Sequence, residues 1–315
     1  NVRVGLDATA SGIQALAALA NCRKSGTACN LFGNVCNDAY QIGIDQLGGL
    51  DHIPRKKKKE AIMTALYGST KVPRENLGEE NLPAFYRMLQ TEFTGVWNVF
   101  LHIQTLWRSD VPSHRWTMPD GFEVIQWNEM MQEIPITLWG TETTVRKKVK
   151  CLKASGLSLA ANVTHSLDGL VCREMVKRAQ VNPDVARELM GSFPEGKSVD
   201  CDMLVRLYRK TNFLSVDLIH NMDRETFANL ELAEKLEIIC LLEHLANKDQ
   251  FDLIPVHDQF FSKAEHCNDM VKMYRYIMQQ VWDSGILDSI VEDITGKYEP
   301  SVKYPQNLDG TYMIC

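Results

Sequence analysis

Residues 55–69 read RKKKKEAIMTALYGS, a run of cations that turns into an apolar helix and stops at a tyrosine and a glycine. The pattern predicts a helix over 55–66, ended by Tyr67 and Gly68, because glycine permits a sharp exit. Positions four apart share one gently drifting helical face, so Arg55, Lys59, Met63 and Tyr67 form a stripe of two cations, a thioether and a phenol. Such a stripe suits a nucleoside triphosphate: the cations neutralise phosphates while Met63 and Tyr67 reach sugar and base. The plainer alternative is a solvated basic helix whose Met63 and Tyr67 join the core.

Outward from this helix, a carboxylate stands at a strand end on each side. NVRVGLD alternates Val2, Val4 and Leu6, then passes through the small residues Asp7 to Gly12 into an apolar helix, Ile13 to Ala20. Near the other end, FDLIPVHDQFF reads as strand, turn, strand centred on Asp258. An isolated aspartate at such a place usually caps a helix or stabilises a turn. Between the two lie an expected helix over Pro83–Trp107 and a hairpin turning at Pro119-Asp120-Gly121. A second hairpin turns near Gly140, and helical text runs over 168–246. Strands and helices mix throughout, which gives an α+β fold. The stretch 180–246 is the one region expected to be separable.

With 315 residues, 45% of them hydrophobic and 23% charged, the chain can bury a sizeable core. No apolar run reaches the roughly 18 residues that span a bilayer, and the start lacks a signal-peptide pattern, so a cytoplasmic protein without a membrane partner is expected. Nine cysteines form no CxxC pair, and free thiols are expected. A net charge of −6 argues against a surface that is basic overall. The cations cluster instead in Arg55–Lys59 and in RKKVK at 146–150.

Taken in order, the motifs resemble those of the single-subunit RNA polymerases of bacteriophages and mitochondria. The resemblance rests on Asp7 with its small residues to Gly12, RKKKKEAIMTALYGS at 55–69, WTMPDGF at 116–122, NVTHSLDG at 162–169 and VHDQF at 256–260. It extends over most of the chain and is weakest over 180–246. It implies a right-hand polymerase fold, an antiparallel palm sheet with largely helical fingers. The implied parts are palm over 1–40, fingers over 41–112 with the nucleotide-binding helix 55–68, and palm and fingers over 113–179 with a hairpin near 135–150. A helical insertion over 180–246 follows, then palm and C-terminal helices over 247–315.

The resemblance also implies roles. Asp7 and Asp258 match metal-binding aspartates for two Mg2+ ions, with the Ala8 carbonyl beside the first. Lys59 matches the catalytic lysine on the incoming triphosphate, Arg55 a phosphate-binding arginine, and Tyr67, with Gly68 behind it, the tyrosine closing over sugar and template. Met63 and His165 line the nucleotide. Magnesium is satisfied by one or two carboxylates plus waters and phosphates, and a pair about 4 Å apart activates a 3′-hydroxyl and neutralises pyrophosphate. For both to act together, the strands carrying Asp7 and Asp258 must be neighbours. Related DNA polymerases carry a glutamate where Gly12 stands, and glycine leaves room for a ribose 2′-hydroxyl.

The expected activity is therefore DNA-templated RNA synthesis from ribonucleoside triphosphates, with DNA template and nascent RNA as partners. A DNA polymerase or primase-like enzyme of the same palm architecture is the alternative. Family members carry a long region ahead of the first aspartate, so a second polypeptide is expected to supply it, as in split, heterodimeric phage enzymes working in the host cytoplasm. The hairpin around Gly140 lies where the family has its promoter-reading loop and is expected to be short.

Overall fold

The computed structural model describes residues 2–150, 156–196 and 198–315, and the free-thiol expectation for Cys151 falls outside them. The architecture is α+β, with helices predominating and three small antiparallel sheets. No described helix is long and apolar enough to cross a membrane.

Strand β1 (Arg3–Asp7) hands the chain to helix α1 (Ser11–Leu19) through Ala10, whose φ of 88° makes the turn sharp. Every side chain of α1 from Ile13 to Leu19 is buried, so this helix is the centre of the main core, packed by later helices. Helices α2 (Arg23–Ala28) and α3 (Ala39–Asp45) follow; the Asp38 carboxylate caps α3 by accepting from the Gln41 N–H. Helix α4 (Arg55–Ala65) starts after Pro54, where the missing N–H has no cost. It buries Ala61, Ile62 and Ala65, and also Lys58, whose ammonium donates to the Leu50 carbonyl at 3.3 Å. One cation of the basic run thus points inward. Gly68, at φ 87°, ends the helical path.

Helix α5 (Lys71–Leu77) leads to α6 (Leu82–Glu92) and α7 (Thr94–Thr105). The single helix expected over 83–107 is broken at the buried Phe93, at φ −116° and ψ 41°. Two residues on, Gly95 packs so close to Cys22 that a Cβ there would clash with the cysteine side chain.

Strands β2 (Ser113–Thr117) and β3 (Glu123–Trp127) form the first hairpin around Pro119-Asp120-Gly121. Strands β4 (Glu129–Leu138) and β5 (Thr141–Lys150) form the second, joined by Trp139 and Gly140, both with positive φ, the turn geometry that matches strand twist. Its arms are ten residues each, paired along their whole length, so the hairpin begins at Glu129, ahead of the expected 135, and ends at Lys150 as expected.

The spine of the molecule is α8 (Leu157–Gln180), 24 residues or about 36 Å. It begins eight residues ahead of His165, so the helical text starts earlier than the sequence pattern suggested. Helices α9 (Pro183–Gly191), α10 (Cys201–Thr211), α11 (Val216–Asn221), α12 (Arg224–Ala228) and α13 (Leu232–Ala246) build a second hydrophobic cluster, from Val181 to Ala246. A buried ion pair, Glu174 with Arg178 on α8, fastens the two cores. Glu174 accepts from Ser215 and Arg178, while Arg178 also donates to the Leu214 carbonyl and to Gln280.

Strands β6 (Ile254–Val256) and β7 (Gln259–Lys263) return to β1 and give the sheet order β1-β7-β6. Leu6, Phe260 and Ser262 face the core, while Arg3, Asp7 and Lys263 face solvent. Helices α14 (Cys267–Asp283) and α15 (Ile286–Thr295) close the back, and α14 packs on both α1 and α8.

Candidate active site

Asp7 ends β1, and Asp258 occupies the tight turn between β6 and β7, entered through His257 at φ 57°. Because β1 pairs with β7 in the register Asp7↔Gln259, the two aspartates arrive at the same end of adjacent strands. The Ala8 N–H donates to the Asp258 carbonyl at 3.1 Å and joins the two segments directly. On the other edge, Asp7 exchanges both backbone hydrogen bonds with Cys315, at 2.8 and 3.0 Å, and Thr9 donates to the Met313 carbonyl. Asp7 is therefore held between β7 and the segment 313–315.

Partial burial pushes the Asp7 carboxyl above its ordinary value, and the neighbouring Asp258 adds to this. The Ala8 N–H and the Lys59 ammonium oppose it. Lys59 of α4 thus acts electrostatically on the carboxylate pair, and it rests over the Tyr40 ring at 4.9 Å. Met63 and Tyr67 follow on the same helical face and line a cavity with Ser11, Gly12, Tyr40 and Asp258. The Tyr67 hydroxyl sits directly over Gly12, where any Cβ would collide with it, so the room that glycine was expected to leave for a ribose 2′-hydroxyl is filled by the phenol. Its ring stacks on His165 of α8, with centroids 5.0 Å apart and an interplanar angle of 27°. Burial, chiefly, raises the Tyr67 phenol well above its ordinary range, so it stays a neutral donor.

Gly12, Met63, Tyr67 and Asp258 therefore line one cavity and His165, stacked on Tyr67, lines an adjoining one, while Asp7 and Lys59 line neither and join the group through the charges of Asp7, Asp258 and Lys59 acting on one another. Arg55 lies one turn earlier on α4, gripped by Asp38 and by Gln41 at 2.8 Å. Gly68 lines neither cavity and serves as the helix exit. Ala8 is 6% exposed, and its carbonyl already accepts from the Ala10 N–H at 2.8 Å, which leaves one lone pair for anything else.

The pattern of residues did not single out Asp168. It lines an adjoining cavity with Tyr67, His165, His257 and Asp258. Burial first, and the Asp258 charge second, push its carboxyl from 3.8 up to about 7. The signal was its place three residues after His165 on the same helix, which puts both on one face. The C-terminal edge segment and Gln14 went equally unnoticed. The Gln14 amide is fully buried and donates to Cys29 and Met313 carbonyls at 2.9 Å, while its oxygen accepts from Tyr274 at 2.7 Å.

Among the described residues no group of three or more His, Cys, Asp or Glu stands ready to enclose a metal. Two carboxylates on one open edge, whose mutual repulsion a cation would relieve, could hold only an ion that keeps waters and takes the rest of its shell from substrate oxygens. Compared with known proteins, the chain matches no family model and no curated protein.

Proposed function

We propose that this chain carries the catalytic site of a template-directed RNA polymerase of the single-subunit type, taking ribonucleoside triphosphates against a DNA template. The observation that carries the reading is convergence. Two aspartates from distant parts of the chain come to adjacent strands, Lys59 of α4 lies within electrostatic reach of Asp7, and Met63 and Tyr67 share a cavity with Asp258.

Asp7 and Asp258 would hold two magnesium ions, which supply charge neutralisation at the attacking 3′-hydroxyl and the leaving pyrophosphate. Lys59, already within electrostatic reach of Asp7, places positive charge where the pyrophosphate oxygen becomes negative, and can deliver a proton there. Arg55, a turn away, extends this to the outer phosphates. Tyr67, braced by His165, keeps its neutral hydroxyl above Gly12 and presents a hydrogen-bond donor to the sugar. Choice of ribose follows from that placement: the space above Gly12 belongs to the phenol, and a side chain at position 12 would displace it. The right-hand arrangement of palm and fingers belongs to the same proposal.

Primer extension on a DNA template with magnesium, offering ribo- and deoxyribonucleotides in parallel, tests the reading. Extension with ribonucleotides is expected; extension confined to deoxyribonucleotides supports the DNA-polymerase alternative, and none with either overturns the assignment.

A further inference from the structure

Arg55 would bind phosphate poorly if its long side chain were free to wander, since every immobilised torsion costs binding free energy. It is not free. Its Nε donates to the Gln41 side-chain oxygen at 2.8 Å, and its Nη2 donates to Asp38. Three of the five guanidinium N–H groups remain unengaged by these contacts, along the edge that meets a phosphate in a two-point contact.

The two holders are themselves anchored. Asp38 uses its other oxygen to cap α3 through the Gln41 N–H at 3.0 Å, and the Gln41 amide donates onward to Asp45 at 2.6 Å. Just before Asp38, Asn37 exchanges hydrogen bonds with the Asn30 side chain, at 2.7 and 2.9 Å, and its own amide reaches the Thr27 carbonyl. Asn30 is 1% exposed and also donates to the Thr9 hydroxyl at 2.9 Å. Thr9 lies two residues beyond Asp7. A continuous path of short hydrogen bonds thus runs from the strand that carries Asp7, through Asn30 and Asn37, to the residues that hold Arg55. Tyr40 projects from the same short helix beneath the Lys59 ammonium.

We infer that Asp38 and Gln41 are positioning residues, which fix the Arg55 guanidinium at a set distance from the Asp7–Asp258 pair so that it receives the outer phosphates of a triphosphate. The inference rests on the polymerase reading above. Asp38 has a second effect: its charge partly neutralises Arg55 when no phosphate is bound, so the cation is presented without attracting anions indiscriminately.

Gln41→Ala is the informative variant, because its backbone N–H still reaches Asp38 and the cap of α3 survives. Binding of inorganic tripolyphosphate, followed by calorimetry, needs no turnover and reads the phosphate site alone. In Gln41→Ala it is expected to weaken about fivefold, the scale of one hydrogen bond. KM for ribonucleotides should rise by a similar factor while kcat stays within about twofold, the signature of an interaction equal in ground and transition states. In an Arg55→Ala background the same substitution should change neither quantity. Unchanged binding and KM in Gln41→Ala, or an equal loss when Arg55 is absent, overturns the positioning role and leaves the polymerase reading intact. Failure of the wild-type chain both to bind tripolyphosphate and to extend a primer overturns the two together.

Discussion

Asp7 is placed by its backbone between β7 and Cys315, and Asp258 by its turn and by the Ala8 N–H on its carbonyl, so their side chains are free to serve chemistry without being needed for the fold. Asp7→Ala and Asp258→Ala should therefore each abolish nucleotide incorporation while leaving template affinity and melting temperature nearly unchanged, as measured by primer extension, fluorescence anisotropy and thermal unfolding. Gly12→Ala acts differently: the new methyl pushes the Tyr67 hydroxyl aside. Loss of discrimination between ribo- and deoxyribonucleotides is expected there, read as a change in the ratio of their kcat/KM values. Asp168 gives a pH signature. Its carboxyl titrates near 3.8 when unfolded and about 7 when folded, so the folded state holds a proton that the unfolded chain has lost. The stability this contributes is complete below pH 4 and is lost as pH rises through 7. The melting temperature of Asp168→Asn minus that of the wild type should climb across that window and level off above it. A flat difference would refute the assignment. The strand-end places of Asp7 and Asp258 were legible in the sequence, whereas their pairing as a site came only from the ordered motif series between them. Asp168 was not, because burial beside another carboxylate belongs to tertiary structure and leaves no mark on a helical pattern.

Helix α4 does its work through its two ends. Pro54 starts it and Gly68 releases it, the latter in a left-handed conformation that L side chains rarely adopt. Gly68→Ala should cost about 1 kcal/mol in urea unfolding and also raise KM for nucleotides, since Tyr67 precedes the strained residue directly. The helix, its stop, the two hairpin turns and the strand-turn-strand around Asp258 all followed from local chemistry: glycine, proline and alternating apolar residues at fixed places. The break at Phe93 did not. Just past it Gly95 packs on Cys22, some seventy residues away in sequence, and no window of a dozen residues contains that contact. The start of the β4–β5 hairpin was likewise obscured: the second arm was expected, but Glu129–Ile134 join the first arm only through their pairing with Val145–Lys150.

At the scale of the molecule there are two hydrophobic clusters, and the Glu174–Arg178 pair on a helix of the first reaches Leu214 and Ser215 beside the second. Removing one member of a fully buried pair typically costs about 3–5 kcal/mol, because the survivor is left charged and unmatched. Arg178→Met should therefore weaken the joint as well as the whole. All six tryptophans lie outside 181–246, so indole fluorescence is blind to the second cluster, whereas far-ultraviolet circular dichroism reports both. In the wild type the two unfolding curves should coincide; in Arg178→Met their midpoints should separate. Coincident curves in the variant would show that the joint does not depend on the pair.

The β4–β5 hairpin carries at its tip the indole of Trp139, 98% exposed, at the end of arms about 33 Å long. That gives the molecule an optical antenna. Its emission is that of a water-bathed indole, open to collisional quenchers, while Trp116 and Trp282 are sealed in the interior. Whatever settles against the tip will announce itself as a blue shift and as protection from quenching, without a label being attached.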